Sequence, residues 1–123
     1  MSMTSVTGQP WMYLDIARAL EQIGDEQAMR SMLPMLQELL ERDLPQIRQS
    51  IANGDARAAN PRLHSLKGCM PIFCAPALCV QLSEVEHMSK AGDSAEVGAA
   101  FADLGPKLDH LQGEIAQYLA QPA

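Results

Sequence analysis

Apolar residues in this chain recur at steps of three and four, and almost nowhere at steps of two. The cleanest run is Met29, Met32, Leu33, Leu36, Leu40, Leu44, Ile47 and Ile51, with Glu38, Glu41, Arg42, Arg48 and Gln49 elsewhere on the wheel. That is one buried stripe on a long amphipathic helix. Pro34 and Pro45 lie inside it. Each removes a backbone donor, yet the period passes through both in phase, so a single helix is expected. Asp25 is its predicted cap. Before it, a short helix is expected from about Pro10 to Ile23, with Leu14, Ala17 and Ile23 as a loose stripe and Gly24 as its stop.

Asn53-Gly54-Asp55 is a stop-start signal, and the next helix is expected to end near Met70 or Pro71. Around it, Ala59, Leu66 and Met70 fall on one side. Arg57, Asn60, Pro61, His64, Lys67, Gly68 and Pro71 fall on the other. After a tight connection over Phe73 to Pro76, Leu78, Leu82, Val85 and Met88 or Ser89 mark the face of another helix. Ala91-Gly92-Asp93-Ser94 punctuates again, and a last helix over about Ala95 to Leu119 buries Val97, Phe101, Leu104, Leu108, Leu111, Ile115 and Leu119. Gly105-Pro106 is expected to kink or briefly break it. The sum is an all-α fold, an antiparallel up-down four-helix bundle with an additional short N-terminal helix. With 123 residues and no linker or repeat, one domain over residues 1–123 is expected, its core at about 12–120.

Composition agrees. Apolar residues make up 47% and aromatics only 4%, with eight methionines, a mixture that suits helices better than sheets. A net charge of −6 argues against nucleic acid as a partner. No apolar run reaches the roughly 18 residues of a membrane helix. Met1 to Gln9 lack the basic start and apolar stretch of a signal peptide. A cytoplasmic, monomeric protein is the expectation, and Met1 with the polar tail Gln121-Pro122-Ala123 suggests a complete small one. Cys69, Cys74 and Cys79 are odd in number and evenly spaced, which fits neither a disulfide framework nor zinc. Buried reduced thiols are expected.

Most of the candidate chemistry collects around His64. Lys67 and Gly68 stand three and four residues on, so they share its face. A glycine in a helix interior costs roughly 0.8–1 kcal/mol relative to alanine. Beside an outward histidine it asks for a reason, and close approach by another molecule is the simplest. His87 and His110 lack such neighbours. Glu84-Val85-Glu86-His87 holds one Glu-x-x-His without the second copy a di-iron bundle needs, so no metal and no cofactor are expected.

His64, Leu66, Lys67 and Gly68, then Leu78 ten residues after the glycine and Glu86 eight after that, form a pattern. In it, and in the upstream Asp43-Leu44-Pro45 and Ala52-Asn53-Gly54-Asp55, the chain resembles the histidine-containing phosphotransfer domain of two-component phosphorelays over about residues 12 to 120. The resemblance implies that His64 accepts a phosphoryl group on Nε2 from a receiver-domain aspartyl-phosphate and passes it to another receiver. Lys67 would lend positive charge, Gly68 would leave room, and Glu86 would accept from Nδ1–H and present Nε2 outward. The partners implied are response-regulator receiver domains and a hybrid sensor kinase. The magnesium sits in the receiver, so the carrier is no enzyme and has no ATP site; the chain carries no nucleotide fingerprint.

Docking is expected on Arg57, Asn60, Pro61 and Pro71, with Trp11, Met12 and Leu14 of the first helix as apolar candidates. The chain departs from the family where Cys69, Met70 and Pro71 replace small residues and where Cys74 replaces a glycine. These departures bear on the local turn and on receiver fit. Two competing readings are a receiver-binding module of the same fold that carries no phosphate, and a structural bundle dimerising through the methionine-rich second helix.

Overall fold

Five helices account for most of residues 11–122, the part of the chain that the computed structural model describes. They are α1 (Ile16–Ile23), α2 (Glu26–Ala52), α3 (Ala56–Cys69), α4 (Pro76–Ala91) and α5 (Ser94–Ala120), with a 3-10 turn at Met70–Ile72. Helices α2 to α5 form an antiparallel bundle in which α3 packs between α2 and α4, and α5 closes the ring against both. Their ends lie where the polar punctuation sits. Asp25, Asp55 and Asp93 each accept a hydrogen bond from a first-turn N–H, at Ala28, Ala58, and Ala95 with Glu96. Gly24 and Gly92 end α1 and α4 in the left-handed region, with φ of 89° and 80°.

The core is built from the predicted stripes. Met29, Leu33, Leu36, Leu40, Leu44 and Ile47 of α2 meet Ala59, Leu63 and Leu66 of α3, Leu82 of α4, and Leu104, Leu108, Leu111 and Ile115 of α5. Both prolines of α2 are accommodated inside one helix. The expected break at Gly105-Pro106 does not occur, and α5 is continuous. Pro106 is exposed, and Ala102, whose carbonyl loses its donor, is also exposed, so water can serve it. Gly105 is buried against Phe101 and Arg48, where a Cβ would come within 3.0 and 3.1 Å of them. Its role is close packing, not a break.

The N-terminal helix also differs from expectation. Pro10 and the preceding residues lie outside the described residues, and α1 begins only at Ile16, capped by Asp15. Ala17 is exposed, and Ala19 is the buried residue of this helix. Tyr13 to Asp15 run extended and pair with the turn after the 3-10 segment. Ala75 N–H donates to Tyr13 at 2.8 Å, Asp15 N–H donates to Phe73 at 2.7 Å, and Leu14 bridges Cys74. The Glu114 carboxylate of α5 fastens this strap by accepting from the N–H groups of Met12, Tyr13 and Leu14.

Leu14 is therefore core, 1% exposed, and does not belong to a docking surface as the sequence led us to expect. Cys74, where the resemblance leads to a glycine, is buried without a positive φ, so the turn needs no glycine there. Only Cys74 is fully buried; Cys69 and Cys79 are half-buried, and all three thiols are free. Burial pushes each thiol above its ordinary value, most of all Cys74. No helix among the described residues is long and apolar enough to cross a membrane.

Candidate functional site

His64 stands on the outer face of α3, its side chain 70% exposed. Leu63 and Leu66, on the other side of the helix, are fully buried and fix which way this face points. The imidazole Nδ1 lies 3.6 Å from Oε2 of Glu86 on α4. That is longer than a hydrogen bond, and a small turn of an exposed ring closes it.

Glu86 is the buried member of the site. Its carboxylate is only 1% exposed although it sits at the bundle surface. Three neighbouring side chains cover and neutralise it. Asn60 Nδ2 donates to Oε2 at 3.0 Å, Lys67 Nζ donates to Oε1 at 3.3 Å, and Lys90 Nζ is 3.7 Å from Oε2. Burial taken alone raises the Glu86 pKa. The hydrogen bonds from Asn60 and Lys67, and the charges of Lys67 and Lys90, outweigh burial and hold it below the usual carboxylate range. Glu86 therefore faces the imidazole as an anion at neutral pH.

Gly68 leaves open space. A Cβ built there meets nothing within 4 Å, so no packing demand within the described chain explains this glycine. Beside it an open groove of about 520 Å³ runs along α4, lined by Lys67, Val80, Ser83, Glu84, His87 and Lys90. Pro61 is exposed and Pro71 half-buried. Arg57 is exposed at the α4 terminus, where it donates to the Ala91 carbonyl at 3.4 Å.

Residues 31–121 match the family model of the Hpt domain. The chain belongs to the Hpt domain family. Hpt domains serve as histidine phosphocarriers in phosphorelays, and that is the role this membership implies. No curated protein and no solved structure matches the chain. The match begins inside α2 and runs through α5. In this Hpt domain the strap and α1 precede the matched region and brace its 3-10 turn, through Arg18 Nε donating to the Pro71 carbonyl at 3.0 Å.

Besides the buried Leu14, two of the predicted docking residues are engaged by other parts of the fold. Trp11 sits by the far end of α5, edge-on to Tyr118 with ring centroids 6.3 Å apart. Asn60 turns inward toward α4. The roles of two participants escaped the sequence reading. Lys90, four residues after Glu86 on one helix face, was findable from spacing alone. Asp43 entered only as part of the upstream resemblance, and its role was not findable: it is buried on α2, paired with Arg42 at 2.9 Å and with Arg62 of α3, two residues before His64, at 2.8 Å. This pair ties the His64 helix to α2.

Proposed function

We propose that this Hpt domain carries its phosphoryl group on His64 Nε2, taking it from a receiver aspartyl-phosphate and delivering it to another receiver. The observation that carries this reading is the exposed imidazole with its Nδ1 aimed at a buried anionic carboxylate. Nε2 is across the ring from Nδ1 and so faces away from Glu86. In the transfer its lone pair forms the N–P bond while the P–O bond to the aspartyl carboxylate breaks, and the carboxylate leaves with the electron pair. No proton need move at the reacting nitrogen.

The ring gains positive charge as the bond forms, and Nδ1–H keeps its proton. Glu86 stabilises that charge. Two unit charges 4 Å apart interact by about 1 kcal/mol in water and about 4 kcal/mol at a protein surface. With a largely exposed ring the lower part of that range applies, so Glu86 contributes roughly tenfold in rate rather than thousands. Lys67 is the cation on the same face, free to swing from Oε1 toward phosphoryl oxygens because its side chain is 40% exposed. The larger part of catalysis comes from the receiver and its magnesium, so the carrier itself is not an enzyme.

Docking on this reading uses the surface of Arg57, Pro61, His64, Lys67, Gly68 and Pro71. The partners are receiver domains, including that of a hybrid sensor kinase, met transiently in the cytoplasm by a monomeric carrier. Incubation with a phosphorylated receiver tests the proposal. Label is expected to move to the protein, acid-labile and base-stable, and to be absent in His64→Gln. Receiver binding without transfer would instead favour a docking module that carries no phosphate.

A further inference from the structure

Asn60 stands one helical turn before His64, and the wheel places both on one face. Its amide nevertheless points into the α3–α4 contact. Nδ2 lies 3.0 Å from Glu86 Oε2, 3.1 Å from the Glu86 carbonyl and 2.9 Å from Ser89 Oγ. The buried Ser89 hydroxyl in turn donates to the Glu86 carbonyl at 2.6 Å. Two amide hydrogens thus serve three acceptors, all on the turn of α4 that carries Glu86.

The carboxylate has other partners, but they differ in stiffness. Lys67 and Lys90 reach it on long stems and are 40% and 57% exposed. Asn60 is short and half-buried. It bonds the same oxygen, Oε2, that faces His64 Nδ1. A neutral imidazole left to itself in water favours the Nε2–H tautomer, which places the lone pair on the wrong nitrogen for attack. A fixed acceptor at Nδ1 reverses that preference.

We infer that Asn60 is a positioning residue: it locks Glu86 Oε2 beneath His64 Nδ1 and so holds the imidazole in the tautomer with a free Nε2 lone pair. The inference rests on His64 being the phosphoryl acceptor. Asn60 touches neither the phosphoryl group nor the receiver. It acts through Glu86, as the partners behind a metal-bound histidine do, and its effect is bounded by the roughly tenfold that Glu86 supplies.

The experiment compares wild type, Asn60→Ala, His64→Gln and Glu114→Gln, using a receiver domain phosphorylated with acetyl phosphate. Glu114→Gln loosens the strap, whose backbone bonds run to Phe73 and Ala75 and not to Asn60, Glu86 or Ser89, and controls for general destabilisation. Asn60→Ala is expected to slow transfer to His64 by up to about tenfold, no more than loss of Glu86 itself, while Glu114→Gln transfers near the wild-type rate. Nitrogen-15 spectra of the free protein are expected to show His64 shifting toward the Nε2–H tautomer in Asn60→Ala alone. Wild-type transfer with an unchanged tautomer in Asn60→Ala would overturn the inference. So would an equal loss in Glu114→Gln.

One measurement needs no variant. In wild type, the Asn60 side-chain amide signals are expected to move as acid protonates Glu86; signals indifferent to that titration would overturn the inference. Label on His64→Gln equal to wild type would remove the carrier reading itself, and the tautomer spectra would still decide the role of Asn60.

Discussion

Gly68 gives the sharpest separation between what the fold needs and what a partner needs. A Cβ at this position meets nothing within 4 Å, and its φ is not in the left-handed region. Alanine is therefore compatible with the native backbone. Mid-helix, Gly→Ala contributes about 1 kcal/mol. Gly68 is the penultimate residue of α3, where fraying weakens the effect, so a gain of about 0.5 kcal/mol is expected. With an m-value of about 1.5 kcal/mol/M, the urea midpoint should rise by about 0.3 M. Gly68→Gln shares the unobstructed Cβ position and has good helix propensity, so it too should fold at least as well as wild type. Transfer should respond the other way. A receiver that must approach this patch meets a new side chain, and misplacing the reacting atoms by about 1 Å can cost about 100-fold. The assay pairs urea melts with transfer from a phosphorylated receiver. A stable Gly68→Gln that transfers at the wild-type rate would refute the close-approach argument. A Gly68→Ala variant that loses stability would refute the open-surface reading.

Replacing Glu86 with alanine should slow transfer by about tenfold; Glu86→Gln keeps an oxygen for Nδ1–H but loses the charge, so its rate should fall between those of wild type and Glu86→Ala, and equal loss in both would argue against an acceptor role. Burial raises the Asp43 pKa, but hydrogen bonds and charge from Arg42 and Arg62 outweigh it and hold it below the ordinary value. Its stabilisation is therefore present above about pH 4 and lost as pH falls through the lowered folded value. Asp43→Asn should cost about 1–3 kcal/mol at pH 7 and progressively less below pH 4 in urea melts; a constant difference at pH 7 and pH 3 would contradict the charge argument. Glu114→Ala removes the acceptor for three strap N–H groups, so hydrogen exchange at Tyr13 and Leu14 should quicken while α3 and α4 stay protected; unchanged protection at both would show that the strap is held otherwise.

Most of the bundle was legible in the sequence because its signals are local. Asp25, Asp55 and Asp93 cap helices within three residues of themselves, and the α2 stripe announced its buried face in phase through two prolines. The strap was not legible. Tyr13 and Leu14 pair with a turn some sixty residues away and hang from a carboxylate a hundred residues away, and nothing near them in the chain encodes either partner. For the same reason the spacing leaves Leu14 both in the apolar stripe and among the docking candidates, and only the strap decides for the core.

At the candidate site the wheel placed His64, Lys67 and Gly68 on the outer face, but it treated Asn60 as outward too. A helical wheel assigns faces, not the reach of a side chain across to the next helix. Asn60 and Glu86 find each other only because α3 and α4 pack side by side. Lys90 lay within reach of simple i, i+4 reasoning from Glu86.

The most direct test of the account is to locate the phosphoryl group on the isotope-labelled protein after transfer from a receiver. Three histidines compete: His64, the exposed His87 beside the groove, and His110, packed edge-on to Tyr13 and 3.3 Å from Glu114. Phosphorus-31 and nitrogen-15 spectra with peptide mapping are expected to place it on Nε2 of His64 alone. A phosphoryl group on His87, on His110, or on Nδ1 of His64 would contradict the role assigned to Glu86 and to the face it serves.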